Sequence, residues 1–126
     1  MNIVIPVLRV DAIDTSREFY ESALEFKLDW LWRPEQGGPA FAQISRDGLL
    51  IYLSEDESAA SRSAIYLYVD DVDAWHRRLL QVGVPVDKVP HDTPWRNREM
   101  VLQDPGGNKL TVCTSLSVLE SRLKSK

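Results

Sequence analysis

Apolar residues cluster in short strand-length runs early in the chain and again past its midpoint. Ile3-Val4-Ile5-Pro6-Val7-Leu8 and Ala64-Ile65-Tyr66-Leu67-Tyr68 are rich in residues that favour a pleated surface. Each run gives way to a helical period: Ile13, Ser16, Tyr20, Ala23 and Leu24 in the first case, Val72, Trp75, Leu79 and Val82 in the second. The two junctions echo each other 59 residues apart, Val10-Asp11-Ala12-Ile13-Asp14 and Val69-Asp70-Asp71-Val72-Asp73. Aspartates at such junctions suit helix N-termini, where they accept free backbone N–H groups and complement the dipole. Strands are then expected over 28–33, 41–45 and 49–54, and again over 84–89, 98–103 and 109–114, so each half reads βαβββ. Turns rich in Gly, Pro, Asp and Asn separate them: Pro34 to Pro39, Arg46-Asp47-Gly48, Glu55 to Ser63 and Asp104-Pro105-Gly106-Gly107-Asn108.

This grammar predicts an α+β fold of two tandem βαβββ modules, residues 1–57 and 62–114, in one domain with a short tail over 115–126. Glu55 to Ser63 is the expected link between modules. Ser117-Val118-Leu119-Glu120 has the form of a capping box and predicts a short C-terminal helix. A chain of 126 residues, 44% hydrophobic and 27% charged, is long enough to bury a substantial core and unlike a disordered segment. The formal net charge of -4 and the dispersed Lys and Arg argue against nucleic acid, which selects clustered positive charge. A single cysteine, Cys113, forms no internal disulfide, and with no apolar run of membrane-spanning length neither a signal peptide nor a membrane span is expected. The expected address is the cytoplasm.

The duplicated βαβββ pattern, with Pro6-Val7-Leu8-Arg9-Val10-Asp11, Glu18-Phe19-Tyr20 and Pro94-Trp95-Arg96-Asn97-Arg98-Glu99-Met100 leading to Asp104-Pro105-Gly106-Gly107-Asn108, resembles the glyoxalase/bleomycin-resistance (vicinal oxygen chelate) superfamily of bacterial and other proteins. The likeness is greatest to its bleomycin-resistance members. Arg96 and Asn97 are a departure, standing where relatives commonly place a glycine. The resemblance implies half-open curved sheets, a homodimer, and in the enzymes of the superfamily a divalent metal held by His and Glu side chains from four strands. Metal chemistry of that kind needs imidazole nitrogens and carboxylate oxygens about 2.0–2.2 Å from the ion. The corresponding positions here fall near Ile5, Tyr52, Ala64 and Thr111, none of them a His or a carboxylate. His76 and His91 lie elsewhere and read as surface histidines. No metal, no cofactor and no catalytic residue is therefore expected.

No Gly-x-Ser-x-Gly elbow and no glycine-rich phosphate loop supplies another chemistry. Cys113 reads as an inert thiol in a strand. What the strands do offer is aromatic surface. Trp32, Phe41, Tyr52 and Tyr66 are expected to wall a ligand cavity, with Trp95, Arg98, Met100 and Thr111 from the second half. Aromatic walls suit a planar or cationic small molecule such as an antibiotic, and a binding protein is the expected function. Two alternatives remain open: a metal-independent lyase or isomerase using Tyr52, Tyr66 or Glu99 as acid/base, and an accessory module with an empty cup.

Overall fold

The computed structural model describes residues 1–58 and 62–117. The elements run β1 (Val7–Arg9), α1 (Ile13–Ser22), β2 (Lys27–Trp32), β3 (Phe41–Arg46) and β4 (Leu49–Ser54), then β5 (Ala64–Tyr68), α2 (Val72–Val82), β6 (Lys88–Asp92), β7 (Asn97–Gln103) and β8 (Lys109–Ser115). Two four-stranded sheets result, ordered β1-β4-β3-β2 and β5-β8-β7-β6. In each, the strand before the helix pairs parallel to the last strand, and the other pairs are antiparallel. The fold is α+β and built from two βαβββ modules, as the repeat predicts. Packing divides it into a first unit of Met1–Ser63 with Asp104–Asn108, and a second of Ala64–Gln103 with the chain from Lys109.

Within each unit, period-two alternation decides which side chains meet the helix. Leu8, Ile44, Ile51 and Leu53 are buried with Ile13, Tyr20 and Leu24 of the α1 region in the first unit. Leu67, Met100, Leu102, Leu110 and Val112 are buried with Val72, Trp75 and Leu79 of α2 in the second. The predicted helical positions are buried throughout, except Val82, which is exposed.

Several boundaries differ from expectation. β1 begins at Val7 rather than Ile3, because Pro6 lacks an N–H and Ile3 and Val4 are exposed. β6 occupies Lys88–Asp92 rather than 84–89, because Val84 is consumed in ending α2. There Gly83 adopts φ 72° and the Val84 N–H donates to the Leu79 carbonyl, a left-handed helix stop. His91 therefore lies in a strand rather than a loop. The Arg46-Asp47-Gly48-Leu49 hairpin is tight, with positive φ at both Asp47 and Gly48. The C-terminal helix expected around Ser117–Glu120 falls largely outside the described residues.

The two helix entries are capped differently. Asp71 caps α2 as predicted, accepting from the Ala74 N–H at 3.2 Å. At α1 the Ala12 position supplies no side-chain cap, and Asp11 does not take that role. Glu55, beyond the end of β4, does so instead: one carboxylate oxygen accepts from the Ile13 N–H at 2.8 Å and the other from the Ala40 N–H at 2.9 Å. Burial works to raise the Glu55 pKa, but these two backbone donors and nearby Arg33 outweigh it and hold it below the usual carboxylate value.

Asp104-Pro105-Gly106-Gly107-Asn108 does more than turn the chain. Asp104 is buried and accepts the Tyr20 hydroxyl at 2.7 Å and the Asn108 backbone N–H at 2.8 Å. The Asn108 amide donates to the Arg9 carbonyl at 2.8 Å and accepts from the Ser63 N–H at 2.8 Å. A Cβ at Gly106 would lie 2.9 Å from the Arg9 carbonyl oxygen, so only glycine fits that approach.

Candidate functional site

The face of each sheet turned away from its helix carries the chemistry. In the first unit, the alternation that buries Leu8, Ile44 and Leu53 presents Val7, Phe41, Tyr52 and Ser54 on the opposite face. A register shift between Leu28 and Trp30 lets both Trp30 and Trp32 join that face, opposite Gln43 and Phe41 respectively. Asp29, at the shift, is fixed by hydrogen bonds from the Gln43 amide and the Ser45 hydroxyl, each 2.9 Å. Those bonds lower its pKa.

Trp30, Phe41 and Tyr52 form a ring cluster with centroid separations of 5.0 to 5.7 Å. Tilted rings at this spacing are mutually attractive and hold one another's faces in place. Beside them opens a groove of about 940 Å³ walled by Val7, Trp30, Trp32 and Phe41, with Pro34 and Pro39 from the β2–β3 loop. Ser54 and Asp56 supply its polar edge. The volume lies near the upper end of the range for small-molecule sites, and an apolar wall with few polar groups is their usual composition. Trp32 is 58% exposed, which leaves its indole free to stack.

In the second unit, Tyr66 and Tyr68 stand on the corresponding face, paired in register with Thr111 and Cys113 of β8. Their rings stack with centroids 6.4 Å apart and planes 29° from parallel. Glu99 of β7 lies opposite Cys113 on one side and His91 on the other. Glu99 is only 4% exposed, and its Oε2 accepts from the Trp95 indole N–H at 2.8 Å and the Asn97 amide at 3.1 Å. The Asn97 amide also donates to the Tyr68 hydroxyl at 2.8 Å. Desolvation, then the charge of Glu99 and its hydrogen bond, push the Tyr66 pKa above its ordinary value. Burial and the same charge push the Cys113 thiol up to about 11.

The turn before β7 aims Trp95. The Arg96 N–H donates to the Thr93 carbonyl, the Thr93 N–H to the Asn97 carbonyl, and Arg96 takes φ 68°. The left-handed conformation that a glycine would supply is thus retained by an arginine.

Of the residues expected to bind ligand, Trp32 and Phe41 line the groove and Tyr52 supports it through ring contacts. Tyr66 and Trp95 are exposed on the second unit. Thr111 is on the same face but buried. Arg98 and Met100 alternate to the helix side: Arg98 pairs with Asp73 of α2 at 2.9 Å and Asp92 at 3.0 Å, and Met100 is fully buried. Trp30, one of the strand aromatics and two residues from Trp32 on the same strand face, lines the groove as well, and Pro34 and Pro39, legible in the sequence only as turn residues, join it.

Of the four positions that the resemblance assigns to metal ligands, Ile5 offers only an apolar side chain, Tyr52 belongs to the ring cluster, Ala64 offers only a methyl group and Thr111 a buried hydroxyl. Among the described residues no three His, Cys, Asp or Glu side chains are grouped to hold an ion. The side chains present do not fit the superfamily's metal.

Two four-stranded sheets of identical strand order, each with one helix between its first and second strands, define a duplicated βαβββ protein whose open sheet faces are aromatic. The chain belongs to the Glyoxalase/Bleomycin resistance protein/Dioxygenase superfamily, whose model matches residues 2–112. Among solved structures it is similar to TnmS3, an antibiotic binding protein from a Streptomyces species, at 25% identity and TM-score 0.74, covering 91% of this chain and 96% of that one. It is also similar in fold to a bleomycin resistance determinant encoded on the transposon Tn5, at 22% identity and TM-score 0.73, covering 91% and 98%. Lactoylglutathione lyase from Agrobacterium tumefaciens shares the fold at 20% identity and TM-score 0.70, covering 90% and 92%. No curated protein matches the sequence. No helix among the described residues is long and apolar enough to cross a membrane.

Proposed function

We propose that the protein binds and sequesters a planar small molecule, of the antibiotic or metabolite kind, in the aromatic groove of its first unit. The observation that carries this reading is the groove itself: indole, phenyl and proline surfaces around about 940 Å³, with an exposed Trp32 face. The likeness to an antibiotic binding protein supports it. The lyase alternative draws on Tyr66, but that phenol holds its proton more tightly than an ordinary tyrosine, which weighs against its serving as a base near neutral pH. Homodimerisation belongs to the same proposal, by analogy with the superfamily.

Tryptophan fluorescence during titration with metal-bound bleomycin and with simpler planar heteroaromatics tests it. Saturable quenching at micromolar ligand is expected for at least one planar probe. Trp32→Ala removes a stacking face and apolar contact together worth about 1.5–3 kcal/mol, raising Kd roughly ten- to a hundredfold. Absence of saturable quenching across the panel, or unchanged affinity in the variant, would overturn the reading.

A further inference from the structure

Glu99 is a buried carboxylate surrounded by neutral donors. Its partners are an indole, a carboxamide and a phenol, and among the described residues no Lys, Arg or His forms an ion pair with it. His91, its cross-strand neighbour, bonds the Val89 carbonyl at 2.9 Å instead. Arg98, next in sequence, is committed to Asp73 and Asp92 on the other face. Withdrawing an ionised carboxylate from water without a counter-charge is costly, and hydrogen bonds from neutral groups offset only part of that cost.

Asp104 provides the contrast. It too is buried, with no ion-pair partner among the described residues, but Tyr20 and Asn108 close around it and both are themselves buried. Glu99 is instead bordered by exposed rings: Trp95 at 61%, Tyr68 at 58% and Tyr66 at 54%. The Trp95 indole holds the place on Oε2 that an N–H of a bound cation would take, and an exposed side chain on a turn can leave it. Ring faces within about 6 Å of a cation attract it, and stacked Tyr66 and Tyr68 offer two.

We propose that Glu99, framed by Tyr66, Tyr68 and Trp95, is a subsite for the ammonium group of an organic amine. The carboxylate supplies the counter-charge, and the tyrosine faces cover the carbon next to nitrogen. This subsite stands on the second unit alone and does not depend on the groove of the first.

The test compares phenethylamine with phenethyl alcohol, the neutral molecule of nearly the same shape, by isothermal titration and by the shift of the Trp95 indole N–H resonance in the full chain. The amine is expected to bind at least tenfold more tightly than the alcohol and to move that resonance. Glu99→Gln keeps an acceptor for Trp95 while removing the charge, and should abolish the difference between the two probes. Tyr66→Leu, at an exposed position, should weaken the amine severalfold while circular dichroism shows the variant still folded, which keeps the idea testable if the Glu99 variant folds poorly. Equal binding of amine and alcohol to the parent protein, or amine preference surviving in Glu99→Gln, would overturn the proposal. Loss of planar-ligand binding in Trp32→Ala with amine binding retained would separate this subsite from the groove.

Discussion

Replacing Tyr20 with phenylalanine deletes one oxygen from the centre of the first unit. The residue is fully buried, and its hydroxyl donates to Asp104 Oδ2 at 2.7 Å. A buried hydrogen bond to a charged acceptor contributes about 1.5–3 kcal/mol. Asp104 Oδ2 keeps the Asn108 amide at 3.0 Å, so the carboxylate is not orphaned and the middle of that range, about 2 kcal/mol, is expected. For a domain of this size that corresponds to a fall in Tm of roughly 6–10 °C. Burial first, then the Asp104 charge and the hydrogen bond, raise the Tyr20 pKa well above 10.0. A group whose pKa is raised on folding gives stability that is complete below its unfolded value and lost as pH climbs towards the folded one. The parent should therefore lose stability above about pH 10 that Tyr20→Phe does not lose, and the gap between them should narrow. Thermal unfolding followed by circular dichroism at about pH 7 and about pH 10.5 measures both effects. A variant melting within about 1 °C of the parent at neutral pH, or a deficit equal at both pH values, would refute the reasoning.

Three further outcomes follow from the same geometry. Glu55→Gln weakens the double cap on Ile13 and Ala40 and should cost about 1 kcal/mol at neutral pH by urea unfolding. Because folding lowers the Glu55 pKa, the parent's advantage is present above 4.5 and should disappear as pH falls below it through the folded value. Gly106→Ala drives a methyl group against the Arg9 carbonyl oxygen at 2.9 Å and should destabilise by about 1–3 kcal/mol in the same assay. Cys113, buried and with its thiol pushed up to about 11, should resist a thiol-specific chromogenic disulfide at about pH 8 until the chain is denatured, when one equivalent reacts.

The sequence made the fold legible because the fold is a repeat. Period-two strands, 3.6-period helices and aspartate-marked junctions recur 59 residues apart, and each half checks the reading of the other. What escaped were interactions that join residues distant in the chain. Asp11 stands at the entry of α1 and looks like its cap, but the cap comes from Glu55, 42 residues from the Ile13 it serves. Asp104 and Asn108 read as turn formers, yet their side chains reach Tyr20 and Arg9, 84 and 99 residues away. Local propensity carries no trace of such pairings.

The candidate site divides along the same line. Strand alternation suffices to place Trp32, Phe41 and Tyr52 on one face, and the structure brings them together around the groove. Alternation also separates Arg98 and Met100 from Glu99, a consequence of single-residue parity that outweighs their closeness in sequence. The Pro-Trp-Arg-Asn-Arg-Glu segment thus serves two faces of one sheet. Arg98 ties β7 to α2, while Trp95 and Asn97 both donate hydrogen bonds to Glu99 on the other side. Arg98→Leu should therefore lower Tm and leave the preference for amine over alcohol intact, whereas Glu99→Gln should abolish that preference whatever it does to Tm, and two neighbouring residues give that distinction its sharpest test.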